Sequence, residues 1–470
     1  MSAPHPCGNQ IMGVQGPIEA QRALFASGIT RPAEWRKRQL QTLLHALERH
    51  EGALLDALRL DLGKPPVEAW VSEIGFLRGE IRHALRHLAA WTKPRRAGLP
   101  IFLLPASARV ETEPRGVALI IGPWNYPLQL LLAPAVAALA AGNTVVLKPS
   151  ELAPHTASAL ARILAEAFPP DVLTVIPGAR DATIELIDQK PDIVFFTGGT
   201  NGGKAVIAAA AHHLIPVVLE LGGKSPCIVC ADAPIVTTAR RIVWGKFINA
   251  GQTCVAPDHI WVHRSIAPQL IAAIQDAITA FYGPDPHASP DYGRICHRGH
   301  FDRLQAMLGQ AEILHGGKTD AAGLFIAPTV LSEPEPGSML DEEEIFGPLL
   351  PVRIFDDPQE IIRAQAGRAV PLALYLFTRD KRLERMLVQN IRSGGVCVND
   401  TISHILPPQL PFGGLAESGM GAYHGKAGFD TFSHQRSILR RSFAGENSMR
   451  YPPCPLPLHK LKRILRWFGS

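Results

Sequence analysis

The chain has 470 residues, 46% of them apolar and 19% charged, with a formal net charge of +5. This is ordinary globular composition with enough apolar side chains for a sizeable core, and the length suits about three domains. The mild charge, with no basic stripe interleaved with aromatics, excludes nucleic acid as the default partner, and seven irregularly spaced cysteines in so long a chain speak for a reducing, cytoplasmic setting rather than a disulfide framework.

The opening MSAPHPCGNQIMG has no basic segment followed by an apolar run, so no leader is expected. From Pro32 onward, Leu40, Leu43, Leu44 and Leu47 share a helical face until Gly63 and Pro65-Pro66 stop the run. A second helix is predicted with Val67, Trp70, Val71, Ile74, Ile81, Leu85 and Leu88 at helical spacing. Residues 93–114, KPRRAGLPIFLLPASARVETEP, suit an extended excursion, a strand pair that leaves the domain.

From residue 116 the pattern alternates. GVALII (116–121), TVVLK (144–148), LTVI (173–176), IVFF (193–196) and PVVLEL (216–221) read as short buried strands separated by helices. Such runs indicate a parallel sheet covered on both faces, in a doubly wound α/β domain. The longest apolar stretch, 128–147, has the length of a membrane span, but Pro134 and Gly142-Asn143 divide it into a buried helix, a stop and a strand. The second half repeats the logic with helix 235–249, strands 259–262, 371–377 and 394–398, and a helix near 380–391, giving a second α/β domain.

Several strand ends carry unusual residues, and α/β sheets bind ligands there. Asn125 lies in GPWNYP, Lys148 and Glu151 in LKPSE, Gly198 to Lys204 in TGGTNGGK, and Glu220 in LELGGK. The glycine-rich turn matches G-x-x-x-x-G-K, but Ala205 follows where a phosphate loop needs Ser or Thr, so ATP hydrolysis is discounted. A tight strand-to-helix turn, or an anion seat on backbone N–H groups, remains. No G-x-G-x-x-G occurs, and Gly419 to Gly425 is only a near variant. Cys227 and Cys230 would face opposite sides of a strand, so they read as core residues and no metal site is expected. His259 opens an apolar strand and reads as structural. Cys254, in GQTCVAP, lies at a helix-to-loop junction among small polar residues. With Glu220 and Asn125 it makes a coherent set of nucleophile, water-activating base and oxyanion donor.

GPWNYP, LKPSE, FFTGGT, LELGGKSP, GQTCVAP, EEIFGPLLPV and PFGGLAESGMGAYHGKAGFDTFSH, in this order, resemble the aldehyde dehydrogenase superfamily, most closely its class 3 branch, over roughly residues 20 to 457. The resemblance implies NAD(P)-dependent oxidation of aldehydes to carboxylic acids through a thiohemiacetal and a thioester on Cys254. Asn125 and the Cys254 N–H would hold the oxyanion, and Glu220 would activate water. A free thiol ionises near pH 8.5, so a local lowering of that value or help from a base is expected. Glu344 would hold the nicotinamide ribose with Phe346 beside it, and Trp124 would join the cofactor site. Lys148 and Glu151 would contact the adenosine ribose, and Gly198, Gly199, Thr200 and Gly203 the pyrophosphate. NAD is expected, with NADP as an alternative. The resemblance further implies a cofactor-binding domain over 1–221, a catalytic thiol domain over 222–398, and a return segment, oligomerisation strand and tail over 399–470.

Gly199 stands where this family often has Ser or Asn, Gly202 replaces a common Val, and Ala416-Glu417 a common Gly-Asn, changes that bear on cofactor preference and affinity. The tail is basic and amphipathic, with Leu458, Leu461, Ile464, Leu465 and Phe468 near one helical face. Packing on a partner subunit or at the substrate entrance is the favoured reading, and docking on an anionic membrane surface the alternative. The excursion and a late strand, RSILRR (436–441), invite a homodimer. An aliphatic or aromatic aldehyde is the expected substrate. An acyl-thioester or acyl-phosphate reductase of the same fold and a cysteine hydrolase remain as rivals; Glu220 argues against the first.

Overall fold

The computed structural model describes residues 15–100, 103–444, 451–453 and 455–468. The opening residues read for a leader lie outside this set, as do Cys7 and Cys454.

The first sheet has six strands in the order Gly419–Met420, Val217–Glu220, Ile193–Thr197, Val117–Ile121, Thr144–Lys148 and Leu173–Val175. All pairs are parallel except the short Gly419–Met420 edge. Its central strand shows why both faces must be covered. Ala118 and Ile120 pack with the helices Ala33–Arg49, Phe76–Trp91 and Gln129–Ala141, while Val117, Leu119 and Ile121 pack on the opposite face with Ile18, Leu186 and Val206. This is the two-residue alternation of a strand, with apolar contacts on each side. The helix Gln129–Ala141 is apolar all round and buried along its whole length, Pro134 included. Gly142, at φ 95°, ends it. Asn143 then locks the corner: its Oδ1 accepts the N–H groups of Arg115 (2.8 Å) and Gly116 (2.9 Å), and its Nδ2 donates to the carbonyls of Ala138 (3.0 Å) and Phe432 (2.9 Å).

The second sheet has seven strands in the order Ile313–His315, Thr329–Leu331, Leu349–Phe355, His259–His263, Pro226–Val229, Ala373–Phe377 and Gly395–Val398. Only its first pair is antiparallel. Cys227 packs in the cluster on one face and Cys230 in that on the other, so the two sulfurs do not converge. A third sheet joins Arg95–Ala97, Ala106–Pro114 and Ser433–Arg441, all antiparallel. The second arm of the excursion, Ala106–Pro114, thus pairs along its full length with the late strand of the same chain.

Two expectations need correction. The helical run from Pro32 is two helices, Ala33–Arg49 and Glu51–Leu62, divided at His50 (φ −110°, ψ 18°). In the following run Val67, Trp70 and Val71 are exposed, whereas Ile74, Leu77, Ile81 and Leu88 are buried. The cause is a π-helical turn, Trp70–Gly75, which inserts a residue into the period and breaks the face in two. The tail is a helix, Leu458–Phe468; the side chains of Ile464, Leu465 and Phe468 lie outside the described residues. Among the described residues no helix is long and apolar enough to cross a membrane.

Asn143→Ala removes four hydrogen bonds at a fully buried corner. We expect it to cost about 3 kcal/mol or more, because the abandoned partners keep their desolvation penalty. A lower urea midpoint at unchanged slope would show this; an unchanged midpoint would refute it.

Candidate active site

The carboxyl ends of two parallel strands open the site. Thr197 and Glu220 end adjacent strands and are registered partners, so their side chains leave the same face of the sheet. The Gly198 N–H donates to the Glu220 carbonyl at 3.0 Å and closes the turn. Both carboxylate oxygens of Glu220 and the Thr197 hydroxyl are buried without a hydrogen-bond partner. Burial therefore pushes the Glu220 carboxyl well above the usual carboxylate range.

The thiol arrives from the other sheet. The helix Ile235–Phe247 runs into a tight turn in which Asn249, Ala250 and Gly251 have φ of 52°, 51° and 76°. A Cβ on Gly251 would strike the Gly347 carbonyl, so glycine lets this turn meet the 343–348 loop. Gln252 pins the next residues: its Nε2 donates to the carbonyls of Asn249 and Arg294 (both 2.9 Å), and its Oε1 accepts the Cys296 N–H (2.9 Å). The hydroxyls of Tyr126 and Thr253 are 2.8 Å apart, and Tyr375 donates to the Val255 carbonyl. Asn125 closes the arrangement, its Nδ2 donating to the Gln252 carbonyl at 3.0 Å.

One cleft of about 740 Å³ gathers Trp124, Asn125, Gly198, Gly199, Glu220, Cys254, Glu344 and Phe346. Four other residues of the sequence-based set lie outside its lining. Thr200 begins the helix Thr200–Ala211. Gly203 faces inward, where a Cβ would stand 2.8 Å from a methyl of Leu221. Lys148 and Glu151 form an ion pair of 2.9 Å at the end of the strand Thr144–Lys148, beyond Val117–Ile121 in the sheet. His259 is buried beside Asp258 and also lies outside the lining.

Among the lining residues to which the sequence reading gave no role, Thr197, His300 and Arg303 bring polar side chains to the cleft. Trp124 packs edge-on to Phe346 with ring centres 5.4 Å apart, and against His300 at 5.4 Å. Burial lowers His300 to about 4, so its ring is neutral at pH 7 and Nε2 donates to the Phe346 carbonyl (2.8 Å). Arg303 donates to the carbonyls of Glu344 (3.0 Å) and Ile345 (2.7 Å). Glu344 leaves the acidic run and turns inward, where its carboxylate occupies the space a Cβ on Gly222 would need. Burial pushes it up to about 7, against the pull of the Gly223 N–H.

Cys254 is pushed up to about 12, by burial first and then by the negative charges of Glu344 and Glu220. The backbone N–H groups of Val255 and of Cys254 itself pull the other way and lose. Of the two expectations for the thiol, the surroundings give no local lowering and leave assistance by a base. On its far side Cys254 lines a second cavity, of about 810 Å³, with Phe76, Trp244, Ile402, Phe412 and Tyr423. Among the described residues no Asp, Glu, Lys or Arg lines it.

A thiol between a polar cleft at strand ends and an apolar cavity accords with the sequence motifs, and comparison with known proteins decides the family. The sequence profile of the "Aldehyde dehydrogenase family" matches residues 14–438. The chain belongs to the aldehyde dehydrogenase family. It is 45% identical to aldehyde dehydrogenase family 3 member H1 of Arabidopsis thaliana, over 92% of this chain and 90% of that protein. It is 43% identical to 4,4'-diaponeurosporen-aldehyde dehydrogenase of Staphylococcus aureus, over 92% of this chain and 95% of that one. A solved structure of Staphylococcus aureus AldH in a substrate-bound state superposes with a TM-score of 0.94 at 41% identity, covering 97% of this chain and 100% of that chain. This aldehyde dehydrogenase is therefore an oxidoreductase that converts aldehydes to carboxylic acids with NAD or NADP.

In the free protein, alkylation of Cys254 by iodoacetamide should rise about tenfold per pH unit from pH 7 to pH 10, since only the thiolate reacts and the thiol stays protonated throughout. Peptide mass spectrometry reads this residue separately from Cys296. A plateau above about pH 9 would reveal an ordinary thiol and contradict the electrostatics above.

Proposed function

We propose that Cys254 is the nucleophile, Glu220 the base and Asn125, with the Cys254 N–H, the oxyanion donor. The observation that carries this is the buried, unpartnered Glu220 carboxylate in the same cleft as a thiol that cannot ionise unaided. Glu220 takes the thiol proton as Sγ bonds to the aldehyde carbon, and the Asn125 amide and Cys254 N–H receive the negative oxygen. When bound, the nicotinamide nucleotide supplies the hydride acceptor, and the thiohemiacetal becomes a thioester on Cys254. Glu220 releases that proton to solvent and then removes one from water; the hydroxide adds to the thioester carbon, the C–S bond breaks, Glu220 returns its proton to the departing sulfur, and the acid leaves with the thiol restored. A general base of this kind contributes about 10²–10⁴-fold.

The cleft suits that nucleotide on several counts. The open space above Gly199, the start of the helix Thr200–Ala211 and the free Thr197 hydroxyl fit a phosphate and polar groups. Trp124 and Phe346 form an apolar wall, and Glu344 offers a carboxylate for ribose hydroxyls. We assign Gly198, Gly199, Thr200 and Gly203 to the pyrophosphate end and Lys148 with Glu151 to the adenosine ribose. A carboxylate at Glu151 accepts two hydroxyls and repels a phosphate, which favours NAD over NADP. The uncharged lining of the second cavity favours aliphatic or aromatic aldehydes. Residues 1–221 would bind cofactor, 222–398 carry the thiol, and 399–470 return the chain. The three-stranded sheet, whose edge strand Ser433–Arg441 is largely exposed, would build a homodimer. We favour a cytoplasmic enzyme whose tail packs on the partner or at the substrate entrance; contact with an anionic membrane is the second reading.

Nucleotide reduction with hexanal or benzaldehyde should vanish in Cys254→Ala and fall about 10²–10⁴-fold in Glu220→Gln. Turnover persisting in Cys254→Ala would remove the assigned nucleophile. Glu151→Ala should raise kcat/KM for NADP relative to NAD; an unchanged ratio would separate Glu151 from the ribose.

A further inference from the structure

Behind the cleft lies a buried polar cluster that no step of the reaction above uses. The Lys64 Nζ is 2.5 Å from Glu73 Oε1, 3.3 Å from the carbonyl oxygen of Asn125 and 4.1 Å from the centre of the Tyr126 ring. Both charged side chains are fully buried. The other oxygen of Glu73 accepts the N–H groups of Leu128 (2.9 Å) and Gln129 (3.1 Å), where the helix Gln129–Ala141 begins. Asn249 comes from the thiol's side of the molecule. Its Nδ2 donates to the carbonyls of Asn125 (2.8 Å) and Gln252 (3.1 Å), and its own N–H reaches Glu68 Oε1 (2.9 Å). The Gln252 carbonyl is also the acceptor for the Asn125 side chain (3.0 Å).

We propose that Lys64 and Asn249 are positioning residues that set the Asn125 amide for the oxyanion, an inference that rests on the role given to Asn125 above. Asn125 lies in an irregular turn between a strand and a helix, so its peptide needs an external hold. Two donors grip its carbonyl from behind, one from each half of the molecule. With the peptide fixed, one Nδ2 hydrogen is committed to the Gln252 carbonyl, and the other is left for the cleft shared with Cys254. An oxyanion donor must stand within about 2.7–3.1 Å of the developing charge, and a displacement of about 1 Å costs about 10²-fold. Stability alone does not require this ion pair: buried pairs are often replaced by apolar residues of similar volume without loss. The lysine's contact with the one carbonyl next to the reaction centre is what an apolar side chain could not supply.

The test uses the full chain with hexanal and compares Lys64→Met/Glu73→Gln, Asn125→Ala and the triple variant. Removing both members of the pair together strands neither partner, and the amide that replaces the Glu73 carboxylate keeps an oxygen for the helix N-terminus; Glu68 loses the favourable charge of Lys64 but keeps the Asn249 N–H. Asn125→Ala should lower kcat by about 10²–10³-fold. The double variant should lower kcat at least about tenfold, with KM, nucleotide affinity and iodoacetamide labelling of Cys254 little changed. The triple variant should be no slower than Asn125→Ala. A double variant with wild-type kcat, or a triple variant slowed by a further factor equal to that of the double, would overturn the proposal. Wild-type kcat in Asn125→Ala would instead remove the oxyanion reading itself. If the double variant does not fold, Asn249→Ala carries the same comparison; the adjoining Ala250 shows that alanine is accepted in this left-handed turn.

Discussion

The left-handed turn at 249–251 is the constraint on which the site depends. Consecutive residues at positive φ are costly, on the order of 1–2 kcal/mol for each non-glycine residue. The fold sustains them through surrounding contacts: Asn249 is one of the few side chains suited to this region, its amide bonds two carbonyls, and Gly251 presses on the Gly347 carbonyl. The turn reverses the chain at the end of a helix of the second sheet and presents Cys254 to the strand ends of the first. Strain of this kind persists where the surroundings over-determine it. Here the same contacts that pin the turn also join the two halves of the molecule around the cleft.

Burial governs the electrostatics of that cleft. Glu220, Glu344 and Cys254 are all pushed toward their neutral forms, and the negative charges of the two carboxylates oppose thiolate formation. Close by, Asp258 is held well below the usual carboxylate range despite burial, because Lys224 lies 2.6 Å away. The difference is the cation. Lys224 and Arg303 bond the backbone of 340–345, Asp258 and the Glu343 carboxylate, fixing the loop that delivers Glu344; neither bonds the Glu344 carboxylate, and burial outweighs the pull of their charges on it. A paired Glu220 would be a permanent anion and a poor proton acceptor at neutral pH; an unpaired, desolvated one has a proton affinity suited to taking a proton and releasing it.

Much of this was legible in the sequence because the signals were local. Short apolar runs between helices name a parallel sheet, and polar residues at their ends name its ligand-binding edge. What escaped reading depended on tertiary context. Lys64 lies between Gly63 and Pro65, a helix stop where a lysine reads as solvated; only the fold reveals Glu73 facing it. The π-helical turn Trp70–Gly75 leaves no periodic trace, so Val67, Trp70 and Val71 read as core when they are exposed. Leu349–Phe355, deep in the second sheet, begins inside a motif quoted for its glutamate, and its Pro351 obscures the strand pattern. His300 and Arg303 lie on a helix far along the chain from every motif and meet the cleft through Trp124 and the 343–346 loop.

That Cys254 lines both cavities has a consequence for how the protein can change. The polar cleft is built from strand ends and from backbone contacts in which one displaced group disturbs several others. The apolar cavity is built from side chains on separate elements, Phe76 after the π-turn, Trp244 on the helix Ile235–Phe247, and Ile402 and Phe412 on loops. Substitutions there alter volume and shape without touching the hydrogen bonds around Asn125 and Gln252. Apolar packing tolerates exchange when volume is roughly kept, whereas a buried polar network loses far more when one member leaves. On the roles proposed above, the two halves of the site divide the labour, with the reaction held by the network and the choice of aldehyde left to the packing.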